Sequence, residues 1–247
     1  MLALAACALW PSGASAAQSV KLHVGFDPNR AGVRTTIQLS LRIGGPKGSL
    51  PAPVTSLDFR LPGNMGIATT TLGQANCLPA DLISGGLNGC SANARIGFGN
   101  ATAVIPVGSQ LVREKASLNA LMGPPVKDQL EVLFYVEALQ PVLAQLVLPS
   151  LIRESSAPYG EELDTSVPLV PAWTEGPDLS LETFNSTIGP LHLTYFREVN
   201  GRTVPYYPHG IRVPLRCPRG GYPFQAALTF ADGTRSSTVY RVPCPAA

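Results

Sequence analysis

Charge is what this sequence has least of. Lys, Arg, Asp and Glu make up 14% of its 247 residues, and Lys and Arg exceed Asp and Glu by two. So small a surplus builds no long-range field for capturing a polyanion, which excludes nucleic acid as a partner. Histidine is equally scarce, with three residues, His23, His192 and His209. The chain has no Gly-x-Ser-x-Gly elbow, no His-Glu-x-x-His helix and no Ser-x-x-Lys pair, so it lacks the signatures of the familiar hydrolases. Beyond the opening residues, its most apolar run, Leu143 to Ile152, is broken by Pro149. That run falls far short of the roughly 20 residues a membrane-spanning helix requires.

What the chain has in quantity is glycine and proline, 24 of each, together with 45% apolar residues. That composition is too punctuated for a helical bundle. It suits many short strands joined by turns around a sizeable core. The expectation is an all-β protein.

The first seventeen residues join a short apolar run to a small-residue site, Ala14-Ser15-Ala16, which reads as an export signal. No Lys or Arg precedes the apolar core, a departure that an upstream start would explain. Leu4-Ala5-Ala6-Cys7 also matches a lipoprotein cleavage box, with a lipid anchor at Cys7 as the alternative to a plain signal. Removing the signal leaves Cys77, Cys90, Cys217 and Cys244, an even number in an exported chain, so an oxidising compartment is expected. The favoured pairing is local, Cys77 with Cys90 and Cys217 with Cys244. A zinc site is the rival reading, but there is no Cys-x-x-Cys pair and the histidines lie elsewhere.

The stretch from Cys217 to Cys244 reads as a cross-linked hairpin. Phe224, Ala226, Leu228 and Phe230 alternate on one face, and Asp232-Gly233 supplies a tight two-residue turn before Val239, Tyr240 and Val242 return. Earlier alternations predict strands over Val20–Phe26, Thr36–Ile43 and Leu57–Leu61, then over Ala94–Pro106, Leu111–Leu121 and Gln129–Ala138. Pro79 to Ser84 predicts one helical turn inside the Cys-bracketed loop. Gly97-Phe98-Gly99 marks a bulge or a close backbone approach rather than a phosphate loop, since no helix or Lys-Ser/Thr follows. Leu133 and Tyr135 stand opposite the apolar face of their strand, so that strand is covered on both sides or meets a second domain. Further strands are expected over Val167–Pro171, Asp178–Ile188, Leu191–Phe196, Thr203–Tyr207 and Ile211–Arg216. This spacing fits an immunoglobulin-like β-sandwich, expected as two packed sandwiches with short loops. The division reads as 1–17 signal peptide, 18–140 N-terminal sandwich and 141–247 C-terminal sandwich, with a boundary near Gln140-Pro141 and a single intertwined sandwich as the alternative.

The phrases from His209 to Thr234, Val242-Pro-Cys-Pro245, Gly97-Phe-Gly-Asn-Ala101 and the segment Gly176 to Gly189 resemble a group of exported proteins of actinobacterial type. The resemblance covers most of the mature chain. It implies export and β architecture, and brings no activity, ligand or catalytic residue with it.

The candidates for chemistry are few. A Ser-His-Asp site would need His192 or His209 held by a carboxylate. Glu161, Glu162 and Asp164, with Asp178 or Glu182, form an acidic group suited to Ca²⁺ or to a glycosidase pair, against the plainer reading of a solvated loop. Trp173, Tyr195, Phe196, Tyr206 and Tyr207 are candidates for a sugar-stacking face, against ordinary core packing. Asn100-Ala-Thr and Asn185-Ser-Thr match glycosylation acceptors. The expectation is a non-catalytic structural or recognition protein of the cell envelope or extracellular space, without cofactor, whose partner is an envelope protein or a glycan. A carbohydrate-binding module and a secreted hydrolase are the alternatives.

Overall fold

The alternation of apolar and polar residues becomes strand after strand in the computed structural model, which describes residues 18–65, 72–139 and 143–245. The expected export segment with Cys7 and the expected boundary at Gln140-Pro141 lie outside the described residues. Strands β1 (Ser19–Asp27), β2 (Arg34–Gly44) and β3 (Val54–Pro62) come first. The single α-helix among the described residues, α1 (Pro79–Gly85), follows. Then come β4 (Arg95–Val107), β5 (Gln110–Met122), β6 (Glu131–Ala138), β7 (Ala144–Glu154), β8 (Tyr159–Ser166) and β9 (Ser180–Ile188). A small hairpin, β10 (Tyr195–Val199) and β11 (Arg202–Tyr206), precedes the two-residue β12 (Ile211–Arg212) and the closing pair β13 (Tyr222–Phe230) and β14 (Arg235–Val242).

Eleven of these strands form one antiparallel sheet in the order β1-β2-β9-β4-β5-β6-β7-β8-β3-β13-β14, and β12 adds a short pairing to β2. The end strand β14 comes back alongside β1 without a ladder between them, so the sheet curls into a nearly closed barrel. The all-β expectation holds. Where the sequence reading expects two sandwiches, the ladders join both halves of the chain: β9 lies between β2 and β4, and β3 between β8 and β13. The physical reason is that a period of two tells which side chains share a face and nothing about which strand pairs with which.

One face of the curved sheet is mostly apolar and points inward. Ile37, Leu39 and Leu41 of β2 line the interior, while Gln38 and Arg42 are exposed on the outside. Phe224, Ala226, Leu228 and Phe230 of β13 join the same core. Lys21, Arg42, Asn100 and Lys115 are exposed on the outer face. This is the reverse of a membrane-spanning barrel, which turns an apolar band outward and a polar lumen inward. Among the described residues, no helix is long and apolar enough to cross a membrane.

Both expected disulfides are formed, Cys77–Cys90 and Cys217–Cys244, with Cα separations of 5.3 and 5.7 Å. The first explains the two-sided strand β6. It staples α1 against the outside of the barrel, where Leu82 packs with Leu121, Leu133 and Tyr135 in a second small core. Gln145 on β7 donates both to the Leu82 carbonyl and to the Tyr135 hydroxyl. Leu133 and Tyr135 thus face a helix rather than a second domain.

Several local expectations need correction. The closing hairpin turns through three residues, Ala231 to Gly233, since the Phe230 N–H donates to the Thr234 carbonyl. Gly233 takes the left-handed position at φ +79°, as the third residue of such loops does. Val167–Pro171 forms no strand, only an isolated bridge from Pro171 to Asp178. Of Leu191–Phe196, only Tyr195 and Phe196 are in a strand. Of Ile211–Arg216, only the first two residues are. Glu161, Glu162 and Asp164 belong to strand β8 rather than to a loop.

Candidate functional site

The interior of the barrel is the site the fold builds, and small side chains make it. The inward positions of β4 are Gly97, Gly99, Ala101 and Ala103 in succession, and Ala101 and Ala103 line a cavity. The expectation of a close approach and of a bulge is met on both counts. The β4–β5 register shifts between Arg95 and Gly97. A Cβ on Gly99 would lie 2.0 Å from the Asn185 carbonyl oxygen of β9, so only glycine lets the two strands come so near.

From Ala101 a row of alanines crosses four strands. Ala101 pairs with Ala116, Ala116 with Ala138, and Ala138 with Ala144. Large side chains at these places would meet across the barrel. With methyl groups there, a cavity of about 150 Å³ remains, closed on other sides by Leu57, Phe134 and Leu228 and by Pro168, Leu169 and Leu179 of the β8–β9 loop. A second cavity of about 120 Å³ continues the interior, lined by Ile37, Leu41, Phe59, Met122 and Ile188. Leu57, Phe134, Thr165 and Phe184 border both. The Phe134 and Phe184 rings meet edge to face between them, with centroids 6.2 Å apart.

Few polar groups reach this interior. Thr165 shares a hydrogen bond of 2.8 Å with Ser150, and Ser186 lies in the wall of the second cavity. Glu114 lines the first cavity and is only 2% exposed.

The residues singled out from sequence are scattered over other places. His23 lies on β1, its ring against Tyr240. His192 sits in the turn before β10 at φ +60°, beside Phe98, and His209 is exposed ahead of β12. Glu162 pairs with Arg60 at 2.8 Å, Asp164 with Arg153 at 3.1 Å and Glu182 with Arg113 at 3.2 Å. Among the described residues, no three His, Cys, Asp or Glu gather where they could hold a metal ion. Asp58 faces Asp164 across the β3–β8 ladder. Burial, then the charges of Asp164 and Glu162, push its carboxyl above the usual range. Burial alone raises Glu161.

The aromatic group also divides. Tyr195 is fully buried, donates to the Arg95 carbonyl at 2.6 Å and accepts from the Gly73 N–H at 2.9 Å. Tyr206 packs on it edge to face. Trp173 is 50% exposed in the β8–β9 loop, where its indole covers Gly176, and Tyr207 is 78% exposed. The acceptor residues Asn100 and Asn185 face each other across β4 and β9, and Asn185 donates to Asn100 at 3.0 Å.

Sequence reasoning missed the alanine row and Glu114. The signal was present in the alternation of Ala101 and Ala103 on one strand and of Glu114 and Ala116 on the next. Nothing in it said that these positions stand side by side around a hollow. No known protein family, curated protein or solved structure matches the chain.

Proposed function

We infer that the chain is an exported, non-catalytic recognition protein, acting at the cell envelope or outside the cell, that takes an apolar ligand into the interior of its barrel. The observation that carries this reading is the pair of adjoining apolar cavities, about 120 and 150 Å³, inside a sheet whose outer face is polar. An apolar hollow is unfavourable to keep empty. At about 24 cal/mol per Å³, 150 Å³ costs roughly 3.5 kcal/mol. Hollows of that size lined by Leu, Ile and Phe take up benzene-sized groups. Two adjoining hollows, with the Phe134 and Phe184 rings between them, suit a hydrocarbon chain. The disulfides support an oxidising compartment.

The test is displacement of a fluorescent arene, N-phenyl-1-naphthylamine, by medium-chain alkyl compounds. Uptake by the wild type and loss of uptake in Ala116→Phe, which fills the alanine row, is the expected result. A wild type that binds neither arene nor alkyl chain, with its disulfides intact, overturns the reading.

A further inference from the structure

Glu114 is the one ionisable side chain in the described lining of the 150 Å³ cavity. On β5 it stands two residues from Ala116, on the same inner face and on the side of the β4–β5 turn. Beyond Ala116 that face continues through Leu118 and Ala120 to Met122, which lines the second cavity. From Glu114 to Met122 the strand runs roughly 26 Å at about 3.3 Å per residue. The interior is therefore graded along its length, with a carboxyl group at one end, a belt of methyl groups next, and, past the Phe134 and Phe184 rings, an apolar chamber beyond.

Against apolar walls a carboxylate attracts an ammonium group or a hydroxyl donor more strongly than it would in water, and it repels a second carboxylate. It also accepts several hydrogen bonds at once. We propose that the ligand is a straight-chain amphiphile with a cationic amine head, the head held at Glu114 and the tail crossing the alanine row along β5 toward Met122. This rests on the reading of the interior as an apolar-ligand site. The chain's formal net charge of +2 works against such a preference, so non-specific attraction would not imitate it.

The experiment compares decylamine, decanol and decanoate, each below its micelle concentration, as displacers of N-phenyl-1-naphthylamine from the full protein. Decylamine is expected to bind about tenfold or more tighter than decanoate, the scale of one charge-assisted hydrogen bond. In Glu114→Gln the three chains converge to within about twofold while all still displace the probe. Decanoate binding as tightly as decylamine to the wild type overturns the proposal, and that comparison needs no variant to fold. So does an amine preference that survives in folded Glu114→Gln. Chain binding without discrimination between heads removes this proposal alone, whereas failure of all three chains removes the apolar-ligand reading and this one with it.

Discussion

The rings of His23 and Tyr240 meet edge to face with centroids 4.7 Å apart, across the place where β1 and β14 run side by side without a ladder. Around the rest of the ring, backbone hydrogen bonds join neighbouring strands. At this seam, closure depends on side chains. Gln18 donates to Asp232 at 3.1 Å near one end, and Asn29 donates to the Pro243 carbonyl at 3.1 Å near the other. An edge without its ladder is the first place a sheet opens.

Tyr240→Ala removes the ring contact at the centre of this seam. An aromatic pair contributes about 0.5 to 1.5 kcal/mol beyond its buried area, so a loss of about 1 kcal/mol is expected. Hydrogen exchange should show the β1 and β14 amides losing protection while those of β5 and β6, in the middle of the sheet, keep theirs. Uniform loss across all strands would contradict a local seam.

Filling the hollow should stabilise the empty protein. Ala138→Val adds two methyl groups beside Ala116 and Ala144, in space bordering the 150 Å³ cavity. Cavity-filling substitutions commonly add about 0.5 to 2 kcal/mol. A rise in the thermal midpoint without added ligand is expected, and a fall would mean that the site is already fully packed.

Each disulfide should act on its own part of the molecule. In the chain-entropy account, loops closed over 13 and 27 residues contribute roughly 3 to 3.5 kcal/mol each. Replacing Cys77 and Cys90 by Ser should also free α1 from the barrel wall and expose Leu133 and Tyr135, seen as increased quenching of tyrosine fluorescence. Replacing Cys217 and Cys244 should lower the denaturation midpoint without that change.

Tyr195 ties the β10–β11 hairpin to the barrel. Burial pushes its hydroxyl up to about 12, so it stays protonated and able to donate across the ordinary pH range. Tyr195→Phe leaves the Arg95 carbonyl without this donor and the Gly73 N–H without this acceptor. A cost of about 1 to 3 kcal/mol follows, measurable by denaturant titration.

Stability should decline as pH rises from acid toward neutral. Asp58 is raised by burial and then by Asp164 and Glu162, and Glu161 is raised by burial. Both bind their protons more tightly folded than unfolded. Their contribution is therefore complete below the unfolded value of about 4 and is lost as pH climbs through the raised folded values. Asp232 runs the other way: its hydrogen bonds from Thr234 lower it, and that contribution fades as pH falls. Asp58→Asn with Glu161→Gln should flatten the decline of the thermal midpoint between about pH 4 and pH 7. An unchanged slope would show that neither carboxyl is responsible.

Alternation along the chain made most strands legible from residues alone, because burying one face of a pleated strand writes a period of two into the sequence. Cysteine placement and the Asp232-Gly233 pair located the cross-linked hairpin, although the turn takes three residues rather than two. Strand β8 escaped notice. Its outward Glu162 and Asp164 are neutralised by Arg60 and Arg153 from neighbouring strands, partners that a linear reading cannot supply.

By itself, then, the sequence determined the class of structure, the paired cysteines and the two-sided character of β6, all of which depend on local pattern. Only the tertiary structure decided that one sheet, rather than two sandwiches, gathers these strands and curls until β14 lies beside β1. That choice turned four alanines, spaced from Ala101 to Ala144 along the chain, into neighbours and left a hollow over them. The physical reason is that strand order is settled by non-local pairing: a residue's own neighbours in sequence fix which way its side chain points, while the space it points into belongs to strands far away.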